Sequence, residues 1–159
     1  MEYIIDGLNV IKTSYIKKFE KKSIEGGKEY LIDLLEKYRR KHPKVEITVV
    51  FDGYPSSFNI YRKSKIKIIF SHEITADEKI REILESKKNK RNIFVVSDDR
   101  QISEFTKILG ANIYGVKEFL DMVSPFEIKR IKIPDSKNIP EKVMKLIAKE
   151  IEEKYGKNR

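Results

Sequence analysis

Cysteine is absent from all 159 residues, which excludes disulfides, thiolate zinc sites and cysteine nucleophiles together and leaves the redox compartment open. Tryptophan is absent too, and histidine occurs only at His42 and His72, too sparsely for an imidazole-rich metal centre. No apolar run approaches the ~20 residues that cross a bilayer. The first residues, Met1 to Asp6, carry two acids and lack the basic stretch of a secretory leader. The expectation is a soluble, cytoplasmic protein with no membrane partner. A chain of this length supports one domain with a real core more readily than two.

What is abundant is charge. Charged residues make up 37% of the chain, with a formal net charge of +9 and a pI near 9.5. A basic body suits a polyanion such as nucleic acid. A lysine-rich composition without cysteine or tryptophan also fits a thermophilic proteome.

Aspartate is scarce and unevenly placed. Of eight, five (Asp6, Asp52, Asp77, Asp98 and Asp99) sit where an apolar, strand-like run gives way to a loop or helix start, whereas most of the seventeen glutamates lie among lysines on helical surfaces. In a parallel sheet the loops leaving the carboxyl ends of strands meet at one edge, so these aspartates would converge. Converging carboxylates repel unless a divalent cation joins them.

Short runs rich in β-branched residues read as strands at Tyr3–Ile5, Val45–Phe51, Ile66–Phe70 and Asn92–Ser97, with a weaker fifth at Asn112–Tyr114. Between the first two, Tyr30, Leu31, Leu34, Leu35 and Tyr38 recur at helical spacing, as do Ile80, Ile83 and Leu84 after the third. Alternating strands and helices predict an α/β fold: three layers, with a central, mostly parallel sheet covered by helices on both faces. The segment from Gly53 to Lys65 shows little helical periodicity, leaving the third strand's direction open. A helix from about Arg100 to Leu109 stops at Gly110, and the core's last helix, Val116 to Val123, ends before Ser124-Pro125. The expected division is a domain at 1–123 and an extension at 124–159, in which a strand-like piece precedes an amphipathic helix packed on the domain.

Asp6-Gly7-Leu8-Asn9 and Asp52-Gly53 each suggest a sharp turn at a strand end, with Asn9 close to Asp6. Thr75 and Glu78 form a capping box that starts a helix, with Asp77 in its first turn. Glu78 is then occupied by the cap, and Asp77 and Glu73 are the better site candidates. In Ser97-Asp98-Asp99, Asp98 is the better ligand candidate, Asp99 is a candidate cap, and Ser97 could bond a ligand or water. His72 reads as a loop histidine with no special role. Lys12, Tyr15, Lys17, Lys18 and Phe19 after the first strand, and Tyr54, Phe58, Tyr61, Arg62, Lys63 and Lys65 after the second, mix cations with aromatics. That mixture suits the phosphates and unpaired bases of single-stranded RNA, with Lys12, Tyr54, Arg62, Lys63 and Lys65 as the foremost contacts.

Taken in order, Tyr3 to Ile11, Val49 to Gly53, Ile69 to Glu78 and Val95 to Asp98 resemble the YacP-like branch of the NYN domain family, within the PIN-like ribonucleases. The resemblance runs from about Met1 to Met122. The resemblance implies a PIN-like sheet and a divalent-metal-dependent endoribonuclease acting on RNA. Asp6, Asp52, Asp77 and Asp98 match the family's acidic, metal-holding positions; Asn9 and Thr75 match its polar neighbours, and Glu73 the acid before Thr-Ala-Asp. One or two Mg²⁺ or Mn²⁺ ions would be held by these oxygens. A ribosome is a candidate partner, and a non-catalytic RNA-binding or ribosome-associated module is the main rival. A receiver-type phosphoacceptor domain fits less well, because Asp6 stands without a second acid beside it and no lysine ends the last strand.

Overall fold

The structure is a computed structural model that describes residues 1–12, 24–55 and 64–124. Arg62 and Lys63, the aromatic and basic loop residues from Tyr15 to Phe19, Phe58, Tyr61, and the extension beyond Ser124 lie outside the described residues. Met1–Pro125 forms one compact unit, and it is that unit which carries the fold below.

Five strands run β1 (Glu2–Asp6), β2 (Glu46–Phe51), β3 (Lys67–Phe70), β4 (Ile93–Val96) and β5 (Asn112–Tyr114). The helices are α1 (Gly7–Ile11), α2 (Ile24–Lys41), α3 (Ala76–Ser86), α4 (Arg100–Ile108) and α5 (Val116–Val123). The sheet order is β3-β2-β1-β4-β5 and every pairing is parallel, which settles the direction of the third strand. The chain first builds outward from β1 to β3, then crosses back to lay β4 on the other side of β1. The strand order therefore reverses between β1 and β4, where open α/β sheets bind ligands beyond the carboxyl ends of the strands.

Both faces of the sheet are covered, as the near-continuous apolar strands require. Side chains alternate along each strand, and paired residues share a face. Ile4, Val50, Ile93 and Val95 pack with Ala76, Ile80 and Leu84 of α3 and Ile102 and Phe105 of α4. On the opposite face Tyr3 meets Phe119 of α5, with ring centroids 5.3 Å apart, and also Phe94 and Tyr114. There the Lys28 ammonium of α2 lies 5.5 Å from the Phe51 ring and 5.6 Å from that of Phe70, while pairing with Glu25. Among the described residues no helix is long and apolar enough to cross a membrane.

Two glycines are fixed by space, against local propensity. Gly7 opens α1, where a simple turn was expected. A Cβ there would stand 2.2 Å from Cε1 of Phe51, so the helix can begin against β2 only with glycine. Gly27 lets α2 approach α1, since its Cβ would stand 2.8 Å from Cγ2 of Ile11. Gly110 follows α4 at φ +81°, the left-handed stop that the sequence signalled.

Gly7→Ala should destabilise the fold by about 1–3 kcal/mol, the usual cost of overpacking. Urea unfolding checks this, and Phe51→Leu in the same chain should recover part of the loss. Simple additivity of the two changes would mean that the Phe51 ring is not the obstacle.

Candidate functional site

Asp6 ends the central strand and caps α1, its Oδ1 accepting the Asn9 amide at 3.2 Å. Its Oδ2 accepts the Ser97 hydroxyl at 3.2 Å, across the gap between β1 and β4. The residue is buried. Burial pushes its pKa up to about 6, helped by repulsion from Asp77 and Asp52 and opposed by the bonds from Asn9 and Ser97. Loss of hydration thus outweighs two favourable hydrogen bonds, and the neighbouring acids are near enough to be felt.

Asp52 directly follows β2 and is exposed, and its Oδ1 accepts the Ala76 amide at 2.7 Å, tying the end of β2 to the start of α3. The capping box is present as expected: the Glu78 amide donates to the Thr75 hydroxyl at 3.1 Å, and the Thr75 amide to Glu78 Oε2 at 2.9 Å. Asp77, one residue beyond the Asp52 contact, is half-buried. Burial holds its carboxyl above the usual range, with repulsion from Asp99, Asp52 and Glu78 adding to it. Asp77 opens into a groove of about 490 Å³ between α3 and α4, which Thr75, Arg81, Gln101 and Glu104 also line.

At the end of β4 the two neighbouring aspartates divide their roles. Asp99 caps α4, accepting the amides of Gln101 at 2.7 Å and Ile102 at 3.2 Å. Asp98 is exposed, and its Oδ1 accepts the Val116 amide at 2.8 Å, substituting for the side-chain cap that Gly115 cannot provide to α5. Asn9 Oδ1 accepts the Asp98 amide at 2.9 Å, and Ser97 Oγ accepts the Asp99 amide at 3.1 Å. A second depression, of about 430 Å³, is lined by Ser97, Asp98, Asp99, Arg100 and Gly115 among others.

The helices α1, α3, α4 and α5 all begin at this edge, so their amide ends face it and offset part of the carboxylate charge. Four of the five aspartates serve a helix start through one oxygen while leaving acceptor capacity on the other. In donor chemistry the set suits a hard cation, since every candidate is a carboxylate or amide oxygen. Among the described residues no three acidic or imidazole side chains close around a common point. An open arrangement of this kind fits a hydrated ion that keeps several waters and takes one or two carboxylates directly.

The family model described as the YacP-like NYN domain matches residues 3–159. The chain belongs to the YacP-like NYN domain family. The match runs through the extension, beyond the stretch that carries the motifs. The crystal structure of a single-substitution mutant of Rae1 (YacP) from Bacillus subtilis is 25% identical, with a TM-score of 0.66, over 80% of this chain and 77% of that one. The structure titled simply Rae1 (YacP) from Bacillus subtilis is similar in fold, at 23% identity and a TM-score of 0.64 over 97% and 83% of the two chains. No curated protein matches significantly. The family supports a nuclease-type, RNA-directed function on a PIN-like α/β fold.

The residues expected to touch RNA are scattered. Lys12 is exposed just past α1, one short helix away from the acidic edge. Tyr54 is 60% exposed at the same edge; its hydroxyl donates to Glu73, and its ring stacks on His72 at 4.8 Å and 4°. Lys65 stands at the other end of the sheet, two residues before β3, with its amide on Glu36 Oε1 at 2.6 Å. His72, read from the sequence as a loop histidine, has φ +59°, uncommon outside glycine, and its amide bonds Gly53 O at 2.9 Å. Sequence reasoning passed over buried Ser71, whose Oγ accepts the Gly53 amide at 3.1 Å. No sequence signal carried this, because it depends on the parallel register that pairs Phe51 with Phe70 and so sets the residues that follow each side by side.

Asp6 also predicts a pH dependence. Its folded pKa, about 6, exceeds its ordinary value of 3.8, so between those values the native state binds more protons than the unfolded chain. Its stabilising contribution is complete below about pH 4 and is lost as pH rises through 6, on the order of 2–3 kcal/mol in all. In chelator, the parent should therefore lose more melting temperature than Asp6→Asn between pH 4 and 7. Parallel melting curves for the two proteins across that range would exclude the raised pKa.

Proposed function

We propose that the chain is a divalent-metal-dependent endoribonuclease that works in the cytoplasm and hydrolyses phosphodiester bonds of single-stranded RNA, messenger RNA included. The observation that carries this reading is the carboxyl edge at the reversal point of the sheet, where burial and acidic neighbours push Asp6 and Asp77 up in pKa, Asp52 adds to both, and Asp98 follows the adjoining strand β4. So much negative charge at a site facing a polyanion makes chemical sense if a cation lies between them.

The residues proposed to hold Mg²⁺ or Mn²⁺, as one ion or two, are Asp6, Asp52, Asp77 and Asp98. Bound there, the ion supplies an activated water and neutralises charge growing on the phosphate oxygens. The protein's own part is orientation. Asn9 and Ser97 fix both oxygens of Asp6, and Ser97 also holds the Asp99 amide, so β1 and β4 cannot separate without releasing the carboxylate. Asn9 and Val116 fix Asp98 from either side. Lys12 would meet a phosphate, and the Tyr54–His72 stack would offer an exposed aromatic surface to a neighbouring base, a contact worth about 1–3 kcal/mol where it forms. Glu73 positions Tyr54, and Thr75 positions Asp77 by fixing the start of α3.

Purified protein incubated with RNA should cleave it with Mn²⁺ or Mg²⁺ and not with chelator. Asp6→Asn and Asp98→Asn should each lower the rate by orders of magnitude while RNA binding persists. Full activity in both variants would overturn the assignment. Binding without any cleavage by the parent would favour a non-catalytic RNA-binding or ribosome-associated module.

Asp98 offers a second check, because its cap and its proposed ligand role separate. Asn retains the acceptor for Val116, so Asp98→Asn should melt in chelator at or above the parent's temperature and gain less from added metal. Asp98→Ala should cost about 1 kcal/mol through the lost cap alone. A parent whose melting is indifferent to metal, with an Asn variant that melts clearly lower, would make Asp98 a structural cap only.

A further inference from the structure

The amino edge of the sheet, opposite the aspartates, carries the reverse charge. Lys44 precedes β2, Lys65 precedes β3, and Lys88, Lys90 and Arg91 precede β4. The starts are stitched into one rim: the Glu46 amide bonds Met1 O at 3.1 Å, the Glu2 amide bonds Asn92 O at 2.9 Å, and Asn112 Nδ2 bonds Arg91 O at 2.8 Å. Lys44, Lys65, Lys88 and Arg91 are exposed and make no ion pair among the described residues. On the helices, by contrast, Lys79, Arg81 and Arg100 are each paired with a glutamate three or four residues on. At the rim Glu2 is taken up by Lys87 at 2.9 Å, leaving exposed Glu46 as the remaining acid of the strand starts. Three of the cations line a depression of about 410 Å³ formed by Lys88, Asn89, Lys90, Arg91, Leu109 and Gly110, and Lys90 is fixed there by its bond to Lys87 O at 2.7 Å.

We infer that this rim is a second RNA-docking surface, which takes the phosphate backbone of a folded part of the RNA, away from the reacting bond. The inference rests on the RNA-directed reading of the acidic edge. From Lys65 to Arg91 the rim crosses three strand spacings, roughly 14 Å, and the five residues of β1 place it about 16 Å from Asp6. Helices cover both sheet faces between the two edges. A short oligonucleotide seated at the aspartates ends before the rim, whereas a stem flanking the cleaved stretch is long enough to reach it and presents two strands of phosphates to its cations. Unpaired, rigidly based cations gain most from releasing the counterions of a dense phosphate backbone.

The test is binding in chelator, where cleavage is silent, of full-length parent and of the triple variant Lys44→Glu, Lys88→Glu, Arg91→Glu to an RNA hairpin and to a short oligouridylate. The variant should lose at least tenfold in hairpin affinity, with a salt dependence shallower by about 0.7–0.9 per lost contact in logarithmic slope. Oligouridylate binding, and its cleavage once Mn²⁺ is added, should stay parental. If the glutamate variant melts early, the same three positions changed to Gln should show the same loss in smaller measure. Unchanged hairpin affinity and slope in a folded variant would overturn the inference, as would a parent that does not bind the hairpin. So would loss of binding to anionic lipid vesicles with hairpin binding intact, which would make the rim a membrane contact. If the parent cleaves nothing yet the variants lose the hairpin, the docking surface stands and the hydrolytic reading fails.

Discussion

A single buried carboxylate holds the carboxyl edge of this fold together. Asp6 ends the central strand, and through Asn9 and Ser97 it connects the first helix to a strand synthesised much later. The connection continues, since Asn9 holds the Asp98 amide and Asp98 holds the start of α5. Ser97 likewise holds the amide of Asp99, which caps α4. Two strands and three helices are thus referenced to one side chain. Burial raises the pKa of Asp6 despite two donors, so the fold keeps this group against its preference for water.

The acids at this edge join two demands that usually compete. Each N-terminal cap is worth about 1 kcal/mol, which alone would justify an aspartate at a helix start. Capping needs no more than one oxygen and does not require the caps to face one another. Here the parallel βα arrangement brings the helix starts together, so groups useful singly for stability form a concentrated negative field collectively. Asp77, which holds no cap, shows the difference. Its carboxylate has no hydrogen-bond partner among the described residues, and burial and the surrounding acids hold it above the usual range.

Much of this was legible in local sequence, and what was not depended on contacts distant along the chain. The β-branched runs, the Thr75–Glu78 box and the stop at Gly110 are short-range signals, and each element formed where those signals lay. The same holds for Asp99, whose two amide partners lie within three residues. The five-residue helix at Gly7 is too short to show a period, and its glycine answers to Phe51 on another strand. The start of α2 at Ile24 was hidden by Gly26 and Gly27, poor helix formers of which the second is required by Ile11. Lys65 was grouped with the acidic edge because the third strand's direction was open. A parallel β3 carries the chain back to the far edge before Lys65 is reached. The Asp98 contact with Val116 and the Tyr54–His72 stack join segments 18 residues apart, which no window of periodicity spans.

The central position of β1 also sets an order of events. Its partner β4 supplies Ser97, 91 positions after Asp6, so the pairing that completes the edge closes one of the longest loops in the unit. Closing such a loop costs entropy before its contacts return any of it, which slows folding through non-local parallel pairing. During synthesis the first strand therefore waits, apolar and unpaired on one side, until most of the domain has left the ribosome. The two halves of the acidic edge do not exist as a site until β4 and the start of α5 have been made, and whatever chemistry the edge performs begins only when that crossover has docked.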